Sequence, residues 1–310
     1  MSLVSRMSHL GERAVLRGLR LIPPGTRGKA RLARLLLPML SRRQETTVTL
    51  AGGERLLVPS LQEPIAFHCL ISGTYEPELI ALLDAHLPRG GTFLDVGANV
   101  GVFTLTAARI AGLQGRVIAI EASPEICHFL SRNIASNGCR KVTLVVKAAT
   151  DSGPARLAFW PAPEEKFGMG ALAPQFDAAA ITVDGDTIDN VLSSLDIRRV
   201  DLMKMDNEGF EAAALRGARR LLSSAHPPVV IIEFADWAES RAGAQCGDAQ
   251  RVLLELGYTL KRVHPDGRLE ALSGPLQHNS ASILALPSTP SSSGIASMLA
   301  TEGDDRDGCR

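Results

Sequence analysis

Five near-continuous apolar runs, each followed by a helix-like or turn-rich stretch, limit most strongly what this chain can fold into. They are residues 92–96 (TFLDV), 116–120 (RVIAI), 142–147 (VTLVVK), 201–205 (DLMKM) and 229–233 (VVIIE). Runs this uniformly apolar suit parallel strands buried on both faces. Helical patterns are expected over about 101–111, 124–136, 210–223 and 248–256. Strands that alternate with helices build βαβ units and a parallel sheet, so the fold class is α/β, a doubly wound sheet with helices on both faces. Two later strands, about 258–264 (YTLKRVH) and 280–286 (SASILAL), flank a link that has Pro265, Asp266 and Gly267 but no helix pattern. That pair is expected to be antiparallel.

The flanks differ in character. Pro23-Pro24-Gly25 divides the N-terminal segment into two expected helices, 3–20 and 27–41, and a hairpin is expected about Gly52-Gly53. Pro77 fits the first turn of a helix that runs to about His86, with Glu76 near its positive end. Residues 153–200 interrupt the alternation with a possible hairpin and the helix-like TIDNVLSSL. The resulting division is a basic helical extension over 1–45, a main domain over 46–286 and a disordered tail over 287–310, rich in Ser, Pro, Gly and Asp. In the first 43 residues ten Arg and Lys, from Arg6 to Arg43, face only Glu12 and interleave with leucines. Such a segment either packs on the domain or makes weak contact with an anionic membrane surface.

Charge and cysteine usage narrow the function. Lys plus Arg equals Asp plus Glu at 33 each, and aromatic residues make up 4% of the chain, so nucleic acid is not an expected partner. The five cysteines (Cys69, Cys127, Cys139, Cys246 and Cys309) are scattered and show no CxxC, which suits free thiols in a reducing, cytoplasmic setting. No window approaches the ~20 apolar residues of a membrane span, and no signal peptide is expected.

Two motifs lie on adjacent strands. Asp95-Val96-Gly97-Ala98-Asn99-Val100-Gly101 follows the first strand and opens the next helix. Its glycines permit a tight turn, and the helix start offers free N–H groups to an anion. The spacing is GxxxG, whereas dinucleotide sites use GxGxxG. Asp95 disfavours a pyrophosphate and suits an ammonium. Glu121, twenty positions after Gly101, closes the second strand, where a carboxylate accepts from both ribose hydroxyls. It is expected to be solvated there. Together these residues describe a pocket for an adenosine that carries an amino-acid tail.

The fourth strand ends in Lys204-Met205-Asp206-Asn207-Glu208-Gly209-Phe210-Glu211. Lys204 and Asp206, two apart on a strand, point to one side, so Lys204 can pair with Asp206 and fix its rotamer. For a base, Asp206 and Glu208 are the first candidates, Glu233 the second, and His264 and His278 the third, since the 265–279 link is expected over the pocket. A magnesium ion held by Asp206, Glu208 and Glu233 is conceivable, but no metal is expected.

With these residues in view, the sequence resembles the FkbM family of class I methyltransferases. Gly73-Thr74-Tyr75-Glu76-Pro77 resembles the family's GxYEP, and DVGANVG at 95–101 its glycine motif. Glu121 is followed by Ala122-Ser123-Pro124, Ala149-Thr150-Asp151 resembles AxSD, and Thr187-Ile188-Asp189 resembles TLD. Lys204 to Gly209 resembles KIDVEG, with Asn207 in place of an apolar residue, and Glu233 closes the fifth strand as an acidic residue does there. The match runs in order over about 55–286. The resemblance implies a seven-stranded sheet of order 3-2-1-4-5-7-6 with its last strand antiparallel. S-Adenosylmethionine is the implied co-substrate, and the implied activity is O-methylation of a sugar, polyketide or other secondary metabolite. It places Glu76, Asp95, Gly97, Ala98, Asn99, Gly101, Glu121, Ala122 and Ala149 beside the donor, and Lys204, Asp206, Glu208 and Glu233 at the reacting end. The competing readings are an NAD(P)-dependent oxidoreductase and a non-catalytic S-adenosylmethionine-binding module. The 153–200 insertion is expected to shape the acceptor pocket.

Overall fold

The computed structural model describes residues 14–15, 18–19, 21–22, 26–36, 45–61 and 63–288. The expected helix over 3–20, residues 37–41 of the one over 27–41, Cys309 and the tail from 289 onward lie largely or wholly outside these residues.

The main sheet has the order β5 (Val142–Val146), β4 (Arg116–Glu121), β3 (Thr92–Val96), β9 (Leu202–Met205), β10 (Val229–Ala235), β13 (Ser280–Pro287), β11 (Tyr258–Val263) and β12 (Leu269–Ala271). The first five strands are parallel, and β13 is antiparallel to both β10 and β11. The expected order is therefore present with one correction. The sheet has eight strands, because the 265–279 link holds β12, which pairs antiparallel with β11. Its three residues are all exposed, so no apolar pattern marked them. Pro287, assigned to the tail by its composition, is instead the last residue of β13 and pairs with Tyr258.

Side chains that alternate along each strand feed two cores. Leu94, Val96, Ile118, Met203 and Ile232 pack on one face against Val191, Leu215 and Leu253. Phe93, Val117, Leu202 and Ile231 pack on the other against Leu83, Phe103 and Ile110. The first group of partners lies in α6 (Ile188–Ser194), α7 (Glu211–Arg216) and α10 (Asp248–Glu255), and the second in α3 (Pro77–His86) and α4 (Val102–Ala111). Each helix covers a strand that could not face water, which is the requirement of a doubly wound sheet.

A third core joins the hairpin β1 (Thr46–Thr49) and β2 (Arg55–Val58) to α2 (Pro64–Ser72) and α5 (Pro124–Ser136), and takes in Leu19 and Ala33. Ala33 lies in α1 (Lys29–Leu36), so the described part of the N-terminal segment packs on the domain. The sequence showed no period for α2, because its residues are almost all apolar. Its local signals are Glu63, which accepts from the amides of Ile65 and Ala66, Pro64 in the first turn, and Gly73 in the left-handed conformation at the end.

The insertion forms a small sheet in which β8 (Ile181–Asp186) lies between β7 (Ala155–Phe159) and the two-residue β6 (Ala148–Ala149). The expected helix over 210–223 is two helices, α7 and α8 (Arg219–Leu222). At the break the Gly217 carbonyl accepts from the Asp189 amide, and the Asp189 carboxylate accepts from the amides of Arg220 and Leu221. Asp189 thus starts a new helix from outside the chain segment that forms it.

Candidate active site

The carboxyl ends of β4, β3, β9 and β10 open onto one cavity. Sheet order places these ends in a row, and with strands about 4.8 Å apart the row spans roughly 14 Å. Of the residues expected beside the donor, Gly97, Ala98, Asn99, Glu121, Ala122 and Ala149 line the cavity. Lys204, Asp206, Glu208 and Glu233 line it as well. Glu76, Asp95 and Gly101 do not reach its wall.

At the β4 end Glu121 is only 7% exposed, which corrects the expectation of a solvated strand-end carboxylate. Its Oε2 accepts from the Asn99 amide at 3.0 Å and its Oε1 from the Ser123 amide at 2.8 Å. Burial pushes the Glu121 carboxyl up, against the pull of these backbone donors. Glu121 therefore holds the glycine loop and the start of α5 together as well as facing the cavity. Asn99 adopts the left-handed conformation, with φ 51°.

The two glycines of the motif serve the protein's own packing. Gly97, with φ 75°, leaves no room for a Cβ because the backbone carbonyl of Asp206 occupies that place. A Cβ on Gly101, with φ 98°, would meet Leu130 of α5.

The β9–β10 end is built by long-range pairing. Lys204 stands opposite Asp95 in the β3–β9 register and is 4% exposed. Its Nζ donates to Asp206 Oδ2 at 3.0 Å, as the sequence spacing suggested, and lies 4.9 Å from the centre of the Phe103 ring. Burial alone would lower the Lys204 pKa, but Asp206, Asp95 and Glu76 together hold it above its ordinary value. Asp95 sits behind the wall. It is 1% exposed, its Oδ2 accepts from Thr104 Oγ1 at 2.6 Å, and its Oδ1 has no hydrogen-bond partner. Burial pushes its carboxyl up, and Lys204 opposes that push. The sequence reading had Asp95 facing a ligand directly, whereas here Lys204 faces it.

Glu233 follows the Ile232–Met205 pair of the β9–β10 register, so it neighbours Asp206. The two carboxyls share a hydrogen bond. The charge of Asp206 and then burial push Glu233 far above the usual carboxylate range. Burial would raise Asp206 too, but Lys204 and the Glu233 hydrogen bond hold it below its ordinary value. The two carboxyls therefore share one proton. Glu76 adds a further acid, pushed up to about 7 by burial. Glu211 accepts from the amides of Asn207, at 2.6 Å, and Gly209, and burial pushes it up to about 7.

Several residues of the wall escaped sequence reasoning. Tyr75 lies in the segment matched to GxYEP but was given no role, Phe103 lies in the expected helix over 101–111 and was given none, and Trp237 sits on the six-residue α9 (Asp236–Arg241), too short to show a period. Trp237 is 41% exposed, and the Arg241 guanidinium lies 4.8 Å from its ring centre. The insertion contributes Phe159, Lys166 and Gly168 to Leu172. His264 and His278 are absent from the wall, which corrects their candidacy. The 265–279 link turns back into β12 at the outer edge of the sheet, and His264 Nε2 pairs there with Glu270 Oε2 at 2.7 Å. Among the described residues no group of three or more His, Cys, Asp or Glu is placed to share a metal ion. The four cysteines among them are free thiols, and no helix among them is long and apolar enough to cross a membrane.

Glycine loop, strand-end glutamate and acid-rich wall together call for comparison with known proteins. A family model described as the methyltransferase FkbM domain matches residues 95–260. The chain belongs to that family. It is an S-adenosylmethionine-dependent methyltransferase, and the oxidoreductase reading falls with this assignment. Over 180 residues the chain is 25% identical to the hexuronic acid methyltransferase AglP of Haloferax volcanii, covering 58% of this chain and 68% of that one. It is 28% identical over 162 residues to the methyltransferase sdnD of Sordaria araneosa, covering 43% of this chain and 62% of that one. It is 31% identical over 103 residues to a protein-L-isoaspartate O-methyltransferase of Arabidopsis thaliana, covering 33% of this chain and 45% of that one. The chain thus spans about two thirds or less of these relatives. Among solved structures, the fibrillarin of Aeropyrum pernix with bound S-adenosylmethionine aligns with a TM-score of 0.41 at 15% identity, covering 77% of this chain and 93% of that one.

The wall fits such a donor. A sulfonium and an ammonium are cations, and the acids Asp206, Glu208 and Glu233 stand here beside one buried lysine, with Glu76 and Asp95 behind the wall. Small apolar side chains at Ile120, Ala122, Ala148 and Ala149 line the β4 end beside the Glu121 carboxylate, as an adenosine requires.

Proposed function

We propose that the protein methylates a hydroxyl oxygen on a sugar, polyketide or other secondary metabolite. The observation that carries this reading is the concentration of acids at the β9–β10 end of the cavity, beside an exposed tryptophan and away from the Glu121 end. A hydroxyl acceptor must lose a proton, and carboxylates at the reacting end can accept it. The Haloferax volcanii relative is a hexuronic acid methyltransferase, which is compatible with a sugar acceptor here.

S-Adenosylmethionine supplies an electrophilic methyl carbon. The remaining work is alignment, exclusion of water and removal of the proton, and it falls to the protein. In this reading Glu121 accepts hydrogen bonds from the ribose, and the glycine loop borders the adenosine. Lys204 fixes the Asp206 carboxylate, which with Glu233 faces the donor's positive charge or the acceptor hydroxyl. Of the insertion, Phe159, Lys166 and Gly168 to Leu172 line the cavity and shape the space for the acceptor. The reading extends to a cytoplasmic enzyme acting on a small molecule or glycan rather than nucleic acid. The basic N-terminal segment adds at most a weak contact with anionic membranes.

The test is a comparison of metabolites between cells with and without the protein, seeking pairs that differ by one methylene. Fragmentation of the heavier member should locate the new methyl on an ether oxygen. A methyl on nitrogen or carbon would overturn the oxygen assignment while leaving the donor site intact. Donor binding is checked separately with S-adenosylhomocysteine. At a hundred times its Kd it should stabilise the fold by about 2.7 kcal/mol and raise the melting temperature.

A further inference from the structure

Glu208 differs from every other acid of the wall. Lys204, Asp206 and Glu233 form one paired unit, and Glu211 is engaged by backbone amides. Glu208 lines the cavity, and among the described residues its carboxylate makes no hydrogen bond or ion pair. The usual structural use of an acid at this place, capping the helix that follows, is already filled by Glu211. The backbone of Glu208 is left-handed, with φ 52°. That conformation costs a non-glycine residue free energy, and such strain persists only where the surroundings impose it. The surroundings here are Gly209, with φ 98°, whose Cα packs against the backbone of Ala238 so closely that no Cβ fits. The β9–α7 loop is thereby seated on the start of α9, beside Trp237.

Resting on the O-methylation reading above, we infer that Glu208, and not Asp206, takes the proton from the acceptor hydroxyl. As the acceptor oxygen bonds to the methyl carbon, the carbon–sulfur bond breaks and its electron pair stays on sulfur. The hydroxyl proton passes to the Glu208 carboxylate, which becomes a carboxylic acid. The acceptor leaves as a methyl ether, and the donor is left as a neutral thioether. Asp206 is poorly suited to this step, because Lys204 and the proton shared with Glu233 already stabilise its charge. An efficient base titrates near the working pH. Burial pushes Glu208 up to about 8, with Asp206 on its own strand end and Glu211 of α7 raising it, and Lys204 and Arg241 of α9 opposing them.

The test pairs Glu208→Gln with Asp206→Asn in the full-length protein. Labelled S-adenosylmethionine is given with extract of cells that lack the protein, and transfer of label to oxygen is followed from pH 6 to pH 9. Glu208→Gln should lower transfer by about 10²–10⁴. Its affinity for S-adenosylhomocysteine, measured by calorimetry, should stay within threefold of wild type. Wild-type transfer should rise with pH to a plateau, and this limb should vanish from the residual rate of Glu208→Gln and survive in Asp206→Asn. Glu208→Asp should restore part of the rate. Transfer by Glu208→Gln within threefold of wild type overturns the inference, as does a loss of S-adenosylhomocysteine affinity that matches the loss of rate. A second measurement needs no acceptor. Carbon-13 titration of labelled glutamates, with Glu208→Gln identifying the resonance, should place the Glu208 carboxyl above pH 7. Titration in the ordinary carboxylate range overturns the inference. If wild type transfers label to nitrogen or carbon instead, the oxygen reading fails, and it fails independently of the donor site.

Discussion

The two ends of the cavity hold their carboxylates by different means. At the β4 end Glu121 is fixed by two backbone amides, those of Asn99 and Ser123, within twenty-two residues of itself. At the β9–β10 end Asp206 is fixed by Lys204 and by Glu233, which comes from the next strand. The first arrangement depends on local chain geometry and tolerates loss of charge as long as an acceptor oxygen remains. The second depends on one cation shared among several acids, and its balance changes with every proton.

The sharpest way to break this contrast is Lys204→Met. Removing the cation leaves Asp95 and Asp206 uncompensated, and breaking a buried pair in this way costs about 3–5 kcal/mol. Urea unfolding at pH 5 and pH 8 should show the larger loss at pH 8, where more of the neighbouring acids are charged. Equal losses at the two values would mean that Lys204 acts by packing on Phe103 alone.

Glu121→Ala should come next. It leaves the amides of Asn99 and Ser123 unpaired, at about 1–3 kcal/mol for each. Glu121→Gln keeps one acceptor oxygen and should recover part of that stability. Both variants should weaken S-adenosylhomocysteine binding in calorimetry. An unchanged melting temperature for Glu121→Ala would return Glu121 to the solvated place expected from sequence.

A milder effect concerns pH. Glu76 and Glu211 are pushed up to about 7 and Glu208 to about 8, each chiefly by burial, from an ordinary 4.5. An acid whose folded value is raised binds more protons in the native state between the two values. Its stabilising contribution is complete below 4.5 and is lost as pH rises through the folded value. The melting temperature of the ligand-free protein should therefore fall between pH 5 and pH 8.5, and Glu208→Gln should flatten the slope. A flat profile in wild type would show these acids to be solvated. The smallest effect is expected from His264→Ala, which should leave S-adenosylhomocysteine affinity and methyl transfer unchanged, because His264 pairs with Glu270 at the far sheet edge.

The same contrast governs how much could be read without coordinates. The four inner parallel strands announced themselves because both faces are buried, the edge strand β5 by its apolar run alone, and the glycine loop and Glu121 because their partners are near in sequence. Lys204–Asp206 was readable from the alternation of a strand. The Asp206–Glu233 hydrogen bond was not, since only the β9–β10 register brings these residues together. The burial of Glu121 was misjudged because the insertion residues that border the same cavity, Phe159, Lys166 and Gly168 to Leu172, carry no periodic signal. The hairpin with β12 escaped notice for the opposite reason, since wholly exposed residues leave no pattern. His264 was assigned to the wrong place as a consequence.

Gly97 and Glu208 would leave different marks in a mutational scan. The Asp206 carbonyl fills the space where any side chain at 97 would begin, so the β3 and β9 loops meet backbone to backbone. Selection for cellular abundance alone would already close position 97 to every other residue. Position 208, left-handed at φ 52°, would stay open in the same selection to residues that tolerate that conformation, such as Gly and Asn, and close to them only when methyl transfer is required. A scan scored both ways would therefore separate, within one cavity wall, the residues that build the enzyme from those that run it.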